Sequence, residues 1–369
     1  MTTTSIASTA IPAGFWLFLI SSTPLPTDQT TIAVLLRRAL GGAPFSWHKG
    51  AIKGKEVTVT ENLTTRDRLF RDGRISIGLV LPIRSADGDD VDFRQQVELA
   101  AQAEELGFAA VWVRDVPLNG PWYPETFGHP DPFTMLGAIS SATDRIAIGT
   151  AATVLTLRHP LHLAKAAISL DQLAPGRFVL GLGSGDRPEE FAAFGEDVRD
   201  HKQLYRDHWS ELSAALDRPP RILGKTADPA TQFDLRPPAA SDIPMLAIGS
   251  GGQTLEWIAR NAAGWATYHR PAKVQRDRYM LWRRAVDSTA TGQFRSFSVA
   301  FRIDLLDDPM AAVEEIDLGY RTGTTGLTGV LQDMRDMGVH HALLNIAPTG
   351  RSAQETLQAI ADDVLPKLI

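Results

Sequence analysis

From residue 75 to the C-terminus the chain alternates between two hydrophobic patterns. Short apolar runs recur at ISIGLVLPI (75–83), AAVWVRD (109–115), RIAIGTAATVL (145–155), FVLGLGSG (178–185), IPMLAIGSGG (243–252), GWATYHRP (264–271), SFSVAFRIDLL (296–306) and HALLNIAP (341–348). Between them, apolar and small residues recur at helical spacing, first in FRQQVELAAQAEELGF (93–108), which Gly107 terminates. Further helices are predicted from about Pro132 and over 160–174, 200–216, 254–262, 273–287, 327–337 and 353–366. Runs that are continuously apolar, rather than alternating, belong to parallel strands covered on both faces. Eight of them alternating with helices predict an α/β fold, a (β/α)8 TIM barrel in preference to an open doubly wound sheet.

Residues 1–73 follow neither pattern. A Ser/Thr-rich start leads through GFWLFLI (14–20) and SSTPLPTDQT (21–30) into TIAVLLRRAL (31–40), with turn formers and isolated apolar patches but no sustained period. A poorly structured N-terminal extension with one short helix at 30–40 is expected, and the barrel is expected to occupy 74–369. Two other readings of the extension are a membrane or partner anchor built on Phe15, Trp16 and Phe18, and translated upstream sequence without a selected role.

Composition narrows the chemistry. The absence of cysteine excludes disulfides, thiolate metal ligands, iron–sulfur clusters and cysteine nucleophiles. A formal net charge of −6 gives no electrostatic reason to expect nucleic acid or an anionic membrane as partner. No apolar run reaches the roughly 20 residues of a membrane-spanning helix. No Lys or Arg precedes Arg37, so GFWLFLI lacks the basic flank of a secretory signal. A cytoplasmic location is therefore expected.

In a barrel of this type the active site gathers at the C-terminal ends of the strands. The polar residues there are Arg114 and Asp115, Thr153 and Thr156, Ser184, Asp186 and Arg187, Ser250 to Gln253, and Tyr268, His269 and Arg270. In GSGGQT (249–254), glycines permit close backbone approach, and the amides entering the next helix can cradle a phosphate to which the Ser250 hydroxyl adds a donor. The same glycines also suit a plain strand-to-helix turn. GSGDRPEE (183–190) reads either as a ligand loop or as a turn with an Asp–Arg surface pair. In RHPLHLAKAA (158–167), His159 before Pro160 suits a helix entry, while His162 could reach a phosphate or face solvent. Asp115 orients a ligand, acts as a base, or only pairs with Arg114 or Arg187. No metal site is expected, because no H-E-x-x-H or clustered acidic pattern accompanies the histidines. Ser184 fits the G-x-S-x-G frame of a serine hydrolase poorly.

Several of these motifs, in order, resemble luciferase-like flavin monooxygenases. They are AEELGFAAVWVRDVPL (103–118), DRIAIGTAATVLTLRHPLHLAKAAISLDQLAPGRFVLGLGSGDRPEEFAAFG (144–195) and IGSGGQTLEWIARNAAGWATYHRP (248–271). RDVPL, RHPLHLAKAA, SGDRP and LGYRTG (318–323) further resemble an uncharacterised luciferase-type oxidoreductase subgroup. The resemblance implies a barrel that binds FMN, or in some branches a deazaflavin, at its C-terminal face. By position it implies Ser250, Gly251 and Gly252 at the cofactor phosphate, with His162 where a luciferase uses an arginine. It places Ala152 and Thr153 against the flavin ring, near a non-proline cis peptide common in the family, and Asp115 and Ser184 at neighbouring strand ends. It implies a monooxygenase acting on a small organic substrate with oxygen and reduced flavin supplied by a reductase, and a homodimer. Arg187 and His269 are the candidates for substrate binding or proton transfer, by their strand-end position and chemistry. The alternatives are a deazaflavin-dependent hydride-transfer enzyme and a flavin-binding protein without turnover. The Gly251-Gly252-Gln253 sequence departs from the bulkier residue usual after the serine in the subgroup.

Overall fold

The computed structural model describes residues 64–84, 91–121, 125, 127–218, 221–222, 234–347 and 351–368. The expectations for 1–63, including the helix at 30–40 and the aromatic anchor, lie outside the described residues. Eight parallel strands form the barrel wall: β1 (Ser76–Leu81), β2 (Ala110–Val113), β3 (Ala147–Thr150), β5 (Phe178–Gly183), β6 (Met245–Ile248), β7 (Gly264–Tyr268), β8 (Ser296–Leu305) and β11 (His341–Ile346). They are hydrogen-bonded in that order, and β11 closes the ring by pairing with both β8 and β1. Around the wall run α2 (Phe93–Glu105), α3 (Pro132–Ala142), α4 (Pro160–Leu173), the short α5 (Pro188–Ala193), α6 (His201–Leu216), α7 (Leu255–Asn261), α8 (Ala272–Thr289), α9 (Thr324–Asp336) and α10 (Ala353–Asp363). The expected barrel is present, strand by strand. Among the described residues no helix is long and apolar enough to cross a membrane.

Strand parity divides the core in two. Leu79, Leu81, Val111, Val113 and Ile148 face outward into the layer between sheet and helices. Val80, Ala110, Trp112, Ala147, Val179, Leu246 and Leu343 face inward and fill the barrel. Trp112 is wholly buried there, and it fits because two neighbours lack side chains. A Cβ on Gly78 or Gly149 would come within 2.5 Å of the indole.

Residues 64–73, assigned to the extension by sequence pattern, contain α1 (Thr65–Leu69), opened by a capping box between Thr64 and Asp67. Leu69 and Phe70 join the inward cluster and close the N-terminal mouth of the barrel. A hydrogen-bonded chain ties this plug to the wall. Trp112 Nε1 donates to His341 Nε2 at 2.9 Å, His341 Nδ1 lies 2.6 Å from Ser76 Oγ, and Ser76 Oγ donates to Leu69 O at 2.6 Å. Indole is a donor only, so His341 carries its proton on Nδ1. Total burial pushes its pKa down to about 3, and the ring is neutral.

Two local features differ from the sequence pattern. The run 145–155 is not one strand: β3 ends at Thr150, a cis peptide joins Ala151 to Ala152, and β4 (Thr153–Val154) resumes against β5 before a 3-10 turn at Leu155–Leu157. After β8 the chain makes an antiparallel hairpin, β9 (Glu314–Ile316) and β10 (Gly319–Thr322), with β10 also pairing parallel to β8. The LGYRTG motif is this hairpin's second arm.

Candidate functional site

Asp115 ties the C-terminal end of β2 to β4 and to the segment that follows it. Its carboxylate, 2% exposed, accepts from Val154 N at 3.0 Å, from Arg158 Nε at 3.0 Å and from Arg158 Nη2 at 2.9 Å. Arg158 Nη2 also reaches Asp131 at 3.1 Å, the residue that caps α3. Asp115 therefore pairs with Arg158, whereas the sequence suggested Arg114 or Arg187 as its partner. It acts on the segment 151–158 by fixing the backbone just after the cis peptide.

That segment lies beside the end of β5. A Cβ on Gly183 would lie 3.2 Å from Ala152 Cβ. Thr156 Oγ1 donates to Ser184 O at 2.9 Å. Ala152, Thr153 and Ser184 are thus neighbours. The Thr153 hydroxyl is fully buried and has no hydrogen-bond partner among the described residues. Thr153 pairs with Leu182, whose side chain faces the layer between sheet and helices, so this hydroxyl points away from the lumen.

A second group of charges converges from three loops. Arg114 makes a two-point ion pair with Glu125, one contact of which is Nη1 to Oε1 at 2.9 Å. His129 Nε2 lies 3.1 Å from the same carboxylate, and its Nδ1 is buried without a partner among the described residues. Burial, with Arg114 and Arg187 adding to it, holds the His129 pKa below its ordinary value despite Glu125. Arg187 Nη1 donates to Glu190 at 2.7 Å. Burial of Glu190 raises its pKa in spite of that arginine. The charges that act on the Tyr268 phenol, 57% exposed at the end of β7, are Asp186, Arg114, Glu125 and Arg187.

His269 belongs elsewhere. Strand parity turns it outward beneath the β9–β10 hairpin, where its ring packs 4.7 Å from Tyr320 and its Nε2 lies 3.4 Å from Glu315. Burial lowers its pKa. The structure does not bring Arg187 and His269 together; Tyr268, one residue earlier, is the side chain that shares charges with Arg187. Sequence reasoning also missed Glu190, Glu125 and His129, for which tertiary proximity is the only signal.

The glycine-rich turn after β6 is built against α6. Gly249, Gly251 and Gly252 have φ of 72°, 56° and 70°. A Cβ on Gly251 would lie 2.7 Å from the Tyr205 ring, and one on Gly252 would lie 2.3 Å from Lys202 Cγ. Positive φ and this close approach together demand glycine. Ser250 Oγ accepts from Gly252 N at 3.3 Å, leaving its own proton to donate outward. Gln253 Oε1 accepts from Arg206 Nε at 3.0 Å and from Nη2 at 2.7 Å. Lys202 and Arg206 therefore bring two cations to the turn, neither of them singled out by the sequence. His162 is exposed on α4, with its ring 5.8 Å from that of His159, and makes no hydrogen bond to the turn among the described residues. His159 caps α4 through Leu161 N at 3.2 Å, the helix-entry role its sequence position suggested. No grouping of three or more His, Asp or Glu side chains among the described residues is placed to hold a metal ion.

A family model for luciferase-like monooxygenases matches residues 75–361. This chain belongs to that family. A 4-hydroxyprotoasukamycin monooxygenase of Streptomyces nodosus subsp. asukaensis is 27% identical over 303 residues, 78% of this chain and 76% of that protein. An F420-dependent glucose-6-phosphate dehydrogenase of Kribbella flavida is 34% identical over 137 residues, covering 34% of this chain and 40% of the relative. Among solved structures, an F420-dependent secondary alcohol dehydrogenase in complex with an F420-acetone adduct matches with a TM-score of 0.62 at 16% identity, over 80% of this chain and 99% of that one. The oxygenating constituent of 3,6-diketocamphane monooxygenase from Pseudomonas putida, in complex with FMN, matches with a TM-score of 0.61 at 15% identity, over 80% and 99%. These luciferase-like relatives thus include monooxygenases and F420-dependent dehydrogenases, and the structural matches establish the common barrel.

Proposed function

We propose that the protein is an FMN-dependent monooxygenase of small organic substrates. The carrying observation is the turn 249–253, a cradle that admits no Cβ at Gly251 or Gly252 and is flanked by Lys202 and Arg206. The donor set suits a phosphate: the Ser250 hydroxyl, turn amides and two cations. In this reading Ser250, Gly251 and Gly252 hold the cofactor phosphate, Ala152 and Thr153 lie against the ring, and Ser184 borders it. By resemblance His162 takes the place of the family's arginine, although among the described residues it makes no hydrogen bond to the turn. The bound cofactor supplies the redox chemistry, delivered as reduced flavin by a separate reductase.

The chain's own contribution is positioning. Asp115 and Arg158 hold 151–154 in place, so the backbone that would lie beside the ring needs no reorganisation on binding. Arg187, Tyr268 and the Arg114–Glu125–His129 group line the substrate side. His129, and Glu190 beside Arg187, have burial-shifted pKa values that suit proton transfer. The second reading, hydride transfer with a deazaflavin, is supported by the F420-dependent relatives.

Titration of the purified protein with FMN and with a deazaflavin, followed by fluorescence, separates these readings. Micromolar binding of FMN and oxygen uptake with reduced FMN are expected. Binding of deazaflavin alone moves the assignment to the second reading, and binding of neither overturns both. A Ser250→Ala change is expected to weaken FMN binding by about 1 kcal/mol, roughly fivefold. Unchanged affinity removes that hydroxyl from the site.

A further inference from the structure

At the opposite end of the barrel, α1 and the starts of β6, β7 and β8 enclose a cleft of about 250 Å³. Arg66, Asn261 and Arg295 line it over an apolar floor that includes Ile243 and Met245. We propose that this cleft binds the phosphate group of a compact phosphomonoester or of inorganic phosphate.

Two guanidinium groups are held side by side there by one acceptor. Arg66 Nη2 and Arg295 Nη1 both donate to Phe294 O, the latter at 3.2 Å. Arg295 is clamped further by Nε to Ala259 O at 2.7 Å and Nη2 to Gln293 Oε1 at 2.5 Å. Neither arginine pairs with a carboxylate among the described residues. The charge acting on Arg295 is Arg66, and burial together with that like charge lowers its pKa. Neighbouring acids are engaged elsewhere: Asp67 caps α1 and Asp72 pairs with His340 at 3.1 Å.

The chain as a whole carries a formal charge of −6. Two guanidiniums held side by side by one carbonyl, with no carboxylate partner among the described residues, repel each other unless an anion joins them. Five N–H groups on each give ten donors, of which four are used by the contacts above, leaving six for a ligand. Two positive charges match the approximate −2 charge of phosphate better than the single charge of a carboxylate. The apolar floor accommodates a small organic body.

The test is calorimetric titration of inorganic phosphate into the full-length protein at constant ionic strength, with glycerol phosphate and acetate as comparison ligands. Saturable phosphate binding is expected, weakened about tenfold or more by Arg295→Gln and by Asn261→Asp, with acetate at least as much weaker than phosphate. Asn261 is exposed, and Asn261→Asp leaves both arginine clamps intact. It therefore keeps the test decisive if Arg295→Gln fails to fold. Glycerol phosphate binding as tightly as phosphate identifies an ester as an acceptable ligand; its exclusion restricts the site to the free ion. FMN affinity is expected to be the same in Asn261→Asp as in the wild type, which separates this cleft from the turn after β6. The proposal is overturned if the wild type shows no saturable phosphate binding, or if phosphate binds Asn261→Asp and folded Arg295→Gln as tightly as the wild type.

Discussion

Replacing Asp115 by alanine is expected to destabilise the protein by about 2–4 kcal/mol and to weaken cofactor binding at the same time. The carboxylate makes three hydrogen bonds at 2.9–3.0 Å while 2% exposed. Its removal strands the Val154 amide in the interior and leaves Arg158 paired with Asp131. Breaking a fully buried pair costs about 3–5 kcal/mol, and the Arg158 side chain is 30% exposed, which reduces the expected loss. Asp115→Asn retains an acceptor for Val154 but not the charge, and an intermediate loss is expected. Urea denaturation of both variants, with FMN titration alongside, distinguishes two roles. If Asp115 positions the 151–154 segment, stability and affinity fall together, and Arg158→Ala is non-additive with Asp115→Ala. If Asp115 serves as a ligand contact, affinity falls with stability unchanged.

That arrangement illustrates what the sequence could and could not reveal. Each of the eight wall strands was legible because burial on both faces demands unbroken apolar runs, and no other local pattern imitates eight of them between helices. The same rule hid the break at Ala151–Ala152. Hydrophobicity runs through RIAIGTAATVL whatever the peptide geometry, so one strand was expected where two short ones stand. The hairpin at 314–322 was missed for the converse reason: its arms are three and four residues long and partly exposed, with no apolar run to announce them.

Within the site, residues tied to a strand end were visible and their directions were not. Tyr268 and His269 are adjacent in sequence, yet parity sends one toward Arg187 and the other under the hairpin. Knowing which positions of β7 face the helices would have corrected this: Trp265 packs on Trp282 of α8, so Tyr268, three residues later, faces the lumen. Asp115 and Arg158 are separated by 43 residues, and Glu125 and His129 sit mid-loop. No local spacing encodes such meetings. The glycines of 249–252 were legible as a turn, whereas Lys202 and Arg206, which make it suitable for a phosphate, lie on a helix whose face the sequence could not orient.

Acidification from pH 7.5 to 5 is expected to lower the stability of the protein, with His341 the principal identifiable cause. The folded pKa of His341 is about 3, against an ordinary value of 6.5 that the unfolded chain restores. Above pH 6.5 the ring is neutral in both states and its burial carries no titration cost. As pH falls below 6.5 the unfolded state takes up a proton that the folded state refuses, and stability drops by about 1.4 kcal/mol per unit until the folded group itself titrates near pH 3. Burial also lowers the pKa values of His129, His269 and His340, so each adds in the same direction as pH falls below 6.5. His341→Gln isolates the largest contribution, because the amide can accept from Trp112 and donate to Ser76 without titrating. The variant is expected to be less stable than the wild type at pH 7.5 by about 1–2 kcal/mol, through imperfect packing of the plug. That deficit should shrink by about 1.4 kcal/mol for each unit below pH 6.5. Urea midpoints measured at half-unit intervals from pH 7.5 to 5 provide the comparison. A deficit that stays constant with pH would show that His341 titrates alike in both states, and that the hydrogen-bonded chain from Trp112 to Leu69 does not hold it neutral.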